Sequence, residues 1–176
     1  MRPPAVRPVA VRLLCAALAL DGAGATSAQE LPARRPGLWS ITIQVSGTPP
    51  QTVRQCVDAR TDRQMQRFGQ GLGEEPCARD TLQRDGERYV RESECRVGAS
   101  TMTSRSVFSG DFGKAYRGEV ESRYVPPLAG VSQSRLTVGA RWIGACPAGW
   151  KPGDMEVPNM GRINVGELMP AAVRRP

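Results

Sequence analysis

The chain contains no histidine among its 176 residues. That excludes Ser-His-Asp and Cys-His machinery and every histidine metal ligand, and it removes the commonest proton shuttle near neutral pH. Paired carboxylates or a lysine nucleophile are still allowed. Lysine is nearly absent too, with Lys114 and Lys151 alone and the remaining basic residues all arginine. Aromatic residues make up only 5% of the chain. No apolar run reaches the roughly 20 residues that a bilayer-spanning helix needs. Neither a G-x-x-x-x-G-K-[ST] loop nor a strand feeding G-x-G-x-x-G occurs, so the glycines of the stretch at 69–76 do not form a phosphate-binding loop.

The first residues have a definite order. Arg2, Arg7 and Arg12 precede a short apolar run from Leu13 to Leu20, and small residues follow, ending in Thr26-Ser27-Ala28. This is the pattern of a cleaved secretory signal covering residues 1–28, with cleavage after Ala28 and Ala25 as the second choice. Cys15 lies inside the apolar run after Leu14, which is not where a lipid-modified cysteine sits. Without the leader roughly 150 residues remain, one domain that buries about two thirds of its surface. The mature chain is expected to have no transmembrane segment and to reside in the periplasm.

Four cysteines follow the leader: Cys56, Cys77, Cys95 and Cys146. An even number in an exported chain reads as two disulfides. The spacings lack the C-x-x-C knuckles of a structural zinc site and the close pair of a thiol exchanger. Three pairings are open. Cys77 and Cys95 stand near each other across the Asp85-Gly86 turn, but the pairing taken here is Cys56 with Cys77 and Cys95 with Cys146.

The full chain carries a net charge of +7, which raises nucleic-acid or membrane-surface binding. The arginines do not cluster, however. In RDTLQRDGERYVRESECR they alternate with aspartate and glutamate, as on a solvated sheet face. Nucleic acid is therefore not expected as a partner, and no cofactor is expected.

Periodicity is mostly that of strands. In LWSITIQV, Trp39, Ile41, Ile43 and Val45 share one side. QTVRQCV at 51–57 is extended. Residues 58–68 change to helical period, with Asp58 or Thr61 as cap and glycines from Gly69 onward as stop. CARDTLQR and ERYVRESEC flank Asp85-Gly86 as a hairpin. STMTSRSVF, AYRGEVESRY and SQSRLTVGARWIG add three more strands, the last two separated by a turn at Pro126–Gly130. Ile163 and Val165 suggest a short strand. About seven strands, close-set turns and one short helix predict a mostly β, antiparallel, curled sheet, barrel-like or a sandwich, stabilised by disulfides. The domain is expected to span 29–155, with 156–176 a partly disordered tail.

Several pieces resemble the DUF3617 family of small exported bacterial proteins of unknown function. They are Pro36-Gly37-Leu38-Trp39, then Gln55-Cys56-Val57, the central pair Cys77 and Cys95, FSGDF at 108–112 and RWIGACPAGWKPGDM at 141–155. Together they cover most of 34–155. Family members often place an aromatic residue just after the central cysteine, where this chain has Ala78 and Arg79. The resemblance implies compartment and fold, and it brings no catalytic residue.

The candidate contact residues lie in turns: Trp150, Lys151, Asp154 and Asp111. Trp39 and Trp142 fall on apolar strand faces and read as core. Trp150 either closes one end of the sheet or walls a pocket. Asp111 and Asp154 can each cap their own turn. The function favoured is a non-enzymatic periplasmic β domain that binds a small apolar ligand or an envelope protein. The alternatives are an envelope hydrolase whose carboxylates, Asp111 and Asp154, meet in one cleft, and a purely structural protein drawn to anionic envelope surfaces.

Overall fold

The computed structural model describes residues 30–70 and 77–168. Residues 1–29, which include the expected leader, residues 71–76 and residues 169–176 lie outside the described residues. Among the described residues nine strands form a single antiparallel sheet: β1 (Gly37–Val45), β2 (Gln51–Val57), β3 (Arg79–Asp85), β4 (Arg88–Val97), β5 (Ser100–Asp111), β6 (Ala115–Leu128), β7 (Val131–Gly144), β8 (Asp154–Val157) and β9 (Gly161–Asn164). Their order is β3-β4-β5-β6-β7-β1-β2-β8-β9. The mostly β, antiparallel expectation holds. Closure does not: β3 and β9 are the two ends of a linear ladder.

Two strand expectations change. Pro126 and Pro127 do not end β6, which runs on to Leu128, so only Ala129 and Gly130 turn the chain. Both turn residues have positive φ, 48° and 83°, the twist that suits a two-residue hairpin. Past residue 155, β8 and β9 extend the sheet, and Ile163 lies in β9. Val165 begins the short helix α2 (Val165–Leu168) instead of joining a strand.

The helix α1 (Ala59–Gln70) starts where Asp58 and Thr61 cap each other. The Thr61 N–H donates to Asp58 Oδ1 at 2.7 Å, and the Asp58 N–H donates to Thr61 Oγ1 at 2.9 Å. Burial pushes the Asp58 carboxyl up, but hydrogen bonds from Thr61 and Arg60 together hold it below the usual carboxylate range. The helix runs through Gly69, one of the residues expected to stop it.

The core lies on one face of one half of the sheet. Trp39, Ile41, Val53, Val57 and Ala140 are buried there, with Tyr116, Val138, Trp142 and Met155 packed against them. Trp39 is fully buried, and its indole N–H donates to the Arg35 carbonyl at 2.8 Å. Trp39 and Trp142 are direct cross-strand partners. Gly37, at φ 131°, makes this packing possible, because a Cβ there would lie 2.5 Å from Trp142 Nε1.

The cysteine pairing differs from the one taken from the sequence. Cys56 bonds Cys146, and Cys77 bonds Cys95. The reason is strand order. Leu38 of β1 pairs with Cys56 on one side and Gly144 on the other, so the chain leaving β7 crosses the end of β1 and meets β2. Cys77 precedes β3, six strand spacings from β2, or roughly 29 Å along the sheet. A disulfide spans only about 4.4–6.8 Å between Cα atoms.

Candidate functional site

Away from the core, the other half of the sheet is polar. Register aligns Ser93, Ser104, Ser122 and Ser134 across β4 to β7. Their side chains belong to the same face as the core, where Ser93 Oγ lies 2.8 Å from Ser104 Oγ and Ser134 Oγ lies 3.4 Å from the Tyr124 hydroxyl. Strand alternation sends the flanking residues to the opposite face. One row there holds Glu92, Arg105, Glu121 and Arg135; the next holds Glu94, Thr103, Arg123 and Gln133, with Arg79 opposite Glu94.

These rows line an open hollow of about 610 Å³. Four arginines (Arg79, Arg105, Arg123, Arg135) and two glutamates (Glu92, Glu121) border it, with Thr103 and Gln133 between them. Arg135 pairs with Glu121 at 2.7 Å, and Arg105 approaches Glu92 at 3.9 Å. Both pairs are about half exposed, and such surface pairs are worth only ~0–1 kcal/mol, so a ligand anion can replace the glutamate at little cost. Arg79 and Arg123 have no ion pair among the described residues. Guanidinium groups match carboxylate and phosphate oxygens with paired hydrogen bonds. The hollow is therefore suited to a polar, negatively charged ligand.

A second, smaller pocket of about 180 Å³ lies between α1 and the sheet, lined by Phe108, Phe112, Tyr116, Met65, Arg34 and Asp62 among others. Phe112 and Tyr116 stack with centroids 4.7 Å apart. Its volume is below the roughly 300–1,000 Å³ of usual ligand sites. Its polar groups are bonded to one another. The Arg34 N–H and Nε donate to Asp62 at 2.8 and 2.6 Å, Gln66 Nε2 donates to Asp62 at 3.2 Å, and Arg34 Nη1 donates to Gln55 at 3.2 Å. This cluster holds the fold together.

The turn residues singled out in the sequence lie elsewhere. Asp154 is buried and caps its own turn: the Lys151 N–H donates to Oδ2 at 2.8 Å, and Asn164 Nδ2 donates to Oδ1 at 2.7 Å. Trp150 is half-buried between the guanidinium groups of Arg54 and Arg162, 5.9 and 5.7 Å from its ring. It belongs neither to the core cluster nor to the lining of either pocket. Lys151 is exposed. Asp111 is exposed and accepts the Gly113 N–H at 2.7 Å, with Lys114 Nζ 3.7 Å away. Asp111 ends β5 and Asp154 begins β8, five strand spacings apart in the sheet order, roughly 24 Å. The two carboxylates share no pocket among the described residues.

The Lys151 N–H, reinforced by Asn164 and Arg162 against the opposing effect of burial, holds the Asp154 carboxyl below its ordinary range. A depressed carboxylate adds stability above its unfolded pKa, about 4, and that stability disappears as pH falls through the lower folded value. Asp154→Asn is therefore expected to be less stable than the parent at pH 7, with the gap closing under acid. Urea unfolding at several pH values measures this, and a gap that widens toward low pH would contradict it.

Residues 34–146 match the family described as "Protein of unknown function (DUF3617)". The chain belongs to the DUF3617 family. No curated protein and no solved structure matches it. The matched span of this DUF3617 protein starts at Arg34 of the buried ion pair and ends at Cys146 of the long-range disulfide. The arginine hollow lies wholly inside it. In the sequence the arginines do not cluster and read as a solvated sheet face. Strand register gathers Arg79, Arg105, Arg123 and Arg135 from four strands, and no linear window contains that signal.

Proposed function

We propose that this DUF3617 protein is a non-enzymatic binding module of the cell envelope, exported to the periplasm, whose open sheet face holds a polar anionic ligand. The observation that carries this is the 610 Å³ hollow bordered by Arg79 and Arg123, which form no ion pair with another described residue. The two arginines are three strand spacings apart, roughly 14 Å, which suits a ligand with several negative groups over a small apolar one. The leader pattern and the two disulfides support the compartment. Among the described residues no helix is long and apolar enough to cross a membrane. In this reading Trp150, Lys151, Asp154 and Asp111 shape turns beside the sheet and do not touch the ligand.

Calorimetric titration of the oxidised mature protein with short-chain polyphosphate tests the proposal. Binding should weaken with salt, and Arg79→Ala with Arg123→Ala should weaken it by about tenfold or more, since each charge-assisted bond contributes ~1.5–3 kcal/mol. An unchanged affinity in the double variant, or no heat with the parent protein, would rule the hollow out.

A further inference from the structure

The β6–β7 hairpin carries a feature that the hollow does not use. β5 pairs with β6 only as far as Val125, and β1 pairs with β7 only as far as Leu136. The hairpin tip therefore projects past both flanking strands. The projecting segment reads Val125-Pro126-Pro127-Leu128-Ala129-Gly130-Val131. Val125 is 60% exposed and Val131 46%; Pro126, Pro127 and Ala129 are exposed as well. No charged residue occurs between Arg123 and Arg135.

Two described turns at this end of the sheet match. The β1–β2 turn, Ser46-Gly47-Thr48-Pro49-Pro50, and the β4–β5 turn, Gly98-Ala99, are uncharged. Behind the tip stand arginines. Arg96 is opposite Thr101, which is opposite Val125, and Arg123 and Arg79 occupy the next row with Glu94. Soluble proteins keep such apolar tips short unless they dock. An apolar tip with a basic collar is complementary to an anionic bilayer: apolar side chains enter the acyl boundary and guanidinium groups meet headgroup phosphates. The length also fits, since three extended residues from Val125 to Leu128 reach roughly 10 Å, and surface-bound segments sink about 5–10 Å.

We propose that the β6–β7 hairpin tip is a docking element that inserts Val125, Leu128 and Val131 into an anionic lipid surface, with Arg96 and Arg123 as its collar. This goes beyond the anion-binding reading of the hollow and stands if that reading fails. The test is co-sedimentation of the oxidised mature protein with phosphatidylglycerol or phosphatidylcholine vesicles at roughly 0.1 M and 1 M salt, where the screening length falls from about 10 to 3 Å. The protein should sediment with the anionic vesicles and partly remain at high salt. Val125→Ser with Leu128→Ser and Val131→Ser should weaken this about tenfold or more, since each buried methylene favours the bilayer. Each of Arg96→Ala and Arg123→Ala should weaken it about fivefold. As a readout that does not rely on loss, Val125→Trp should gain blue-shifted emission with anionic vesicles. The proposal is overturned if the serine variant sediments like the parent, if phosphatidylcholine works equally well, or if the parent sediments with neither. Polyphosphate titration of the serine variant keeps the two readings apart, since its result should equal the parent's whether or not the hollow binds.

Discussion

Replacing Cys56 and Cys146 together by serine is expected to lower stability by about 4–5 kcal/mol, and replacing Cys77 and Cys95 by about 3 kcal/mol, on the chain-entropy account of cross-links. The difference comes from loop length. The first bond joins residues 90 apart in sequence, the second residues 18 apart. The long-range bond also ties both neighbours of β1 to each other at the end where Leu38 and Trp39 are buried. Cys56 is almost fully buried, and its carbonyl accepts the Gly153 N–H at 2.8 Å. Losing the bond therefore loosens the turn that leads into β8 and Asp154 as well. A domain of this size has only about 5–15 kcal/mol in total, so the first variant should be marginal and the second should survive. Urea unfolding of both variants measures the order. A Cys77/Cys95 variant that proved the weaker would show that contacts around the bond, and not loop length, set the effect.

Much of this fold could be read from alternation. Trp39, Ile41, Ile43 and Val45 in β1, and Trp142, Ala140, Val138 and Leu136 in β7, do share a face, and they are partners in that order. Asp58 and Thr61 do start a helix. What could not be read depends on strand order, which periodicity does not encode. A hairpin pattern says that β3 pairs with β4, but not that β1 inserts between β7 and β2. That insertion decides the Cys56–Cys146 bond and sets β1 between β7 and β2, which keeps Asp111 far from Asp154; the arginines of β3 to β7 meet because four successive hairpins lay their rows side by side. The Pro126-Pro127 pair misled for a local reason. Proline lacks an N–H, yet it is tolerated in a strand where no ladder bond is required of it. β5 ends its pairing at Val125, so the prolines fall where β6 has no partner on that side. The buried charge has no local signal, because ELPARRPG is polar and proline-bearing and nothing in it marks Arg34 as a core residue.

That buried charge supports the second large expectation. Asp62→Ala should cost about 3–5 kcal/mol, the usual result of stranding one partner of a buried ion pair. Arg34 is 8% exposed and Asp62 0%, so water cannot replace the lost carboxylate. Asp62 accepts from the Arg34 main chain, the Arg34 side chain and Gln66, and Arg34 in turn reaches Gln55. Without Asp62 the guanidinium keeps no carboxylate partner, only the Gln55 amide oxygen, the Met65 sulfur 3.9 Å away, the Tyr116 phenol and the Trp39 ring. Residues 31–36 form a lead-in strap whose Leu31 and Pro32 border the small pocket with Phe112 and Tyr116, and this strap then loses its Arg34 anchor. Replacing both partners, Arg34→Met with Asp62→Leu, should cost much less, because no charge is stranded. Tyr116 offers a spectroscopic check. Burial raises its phenol, with Arg34 opposing and Asp62 adding to the rise. A raised phenol leaves stability intact below the unfolded value of about 10, and that stability is lost as pH climbs through the folded one. Ultraviolet titration should therefore show one tyrosine ionising late in the parent protein and earlier in Asp62→Ala. If the single variant unfolds no more easily than the double, the pair is not what holds α1 and the lead-in strap against the sheet.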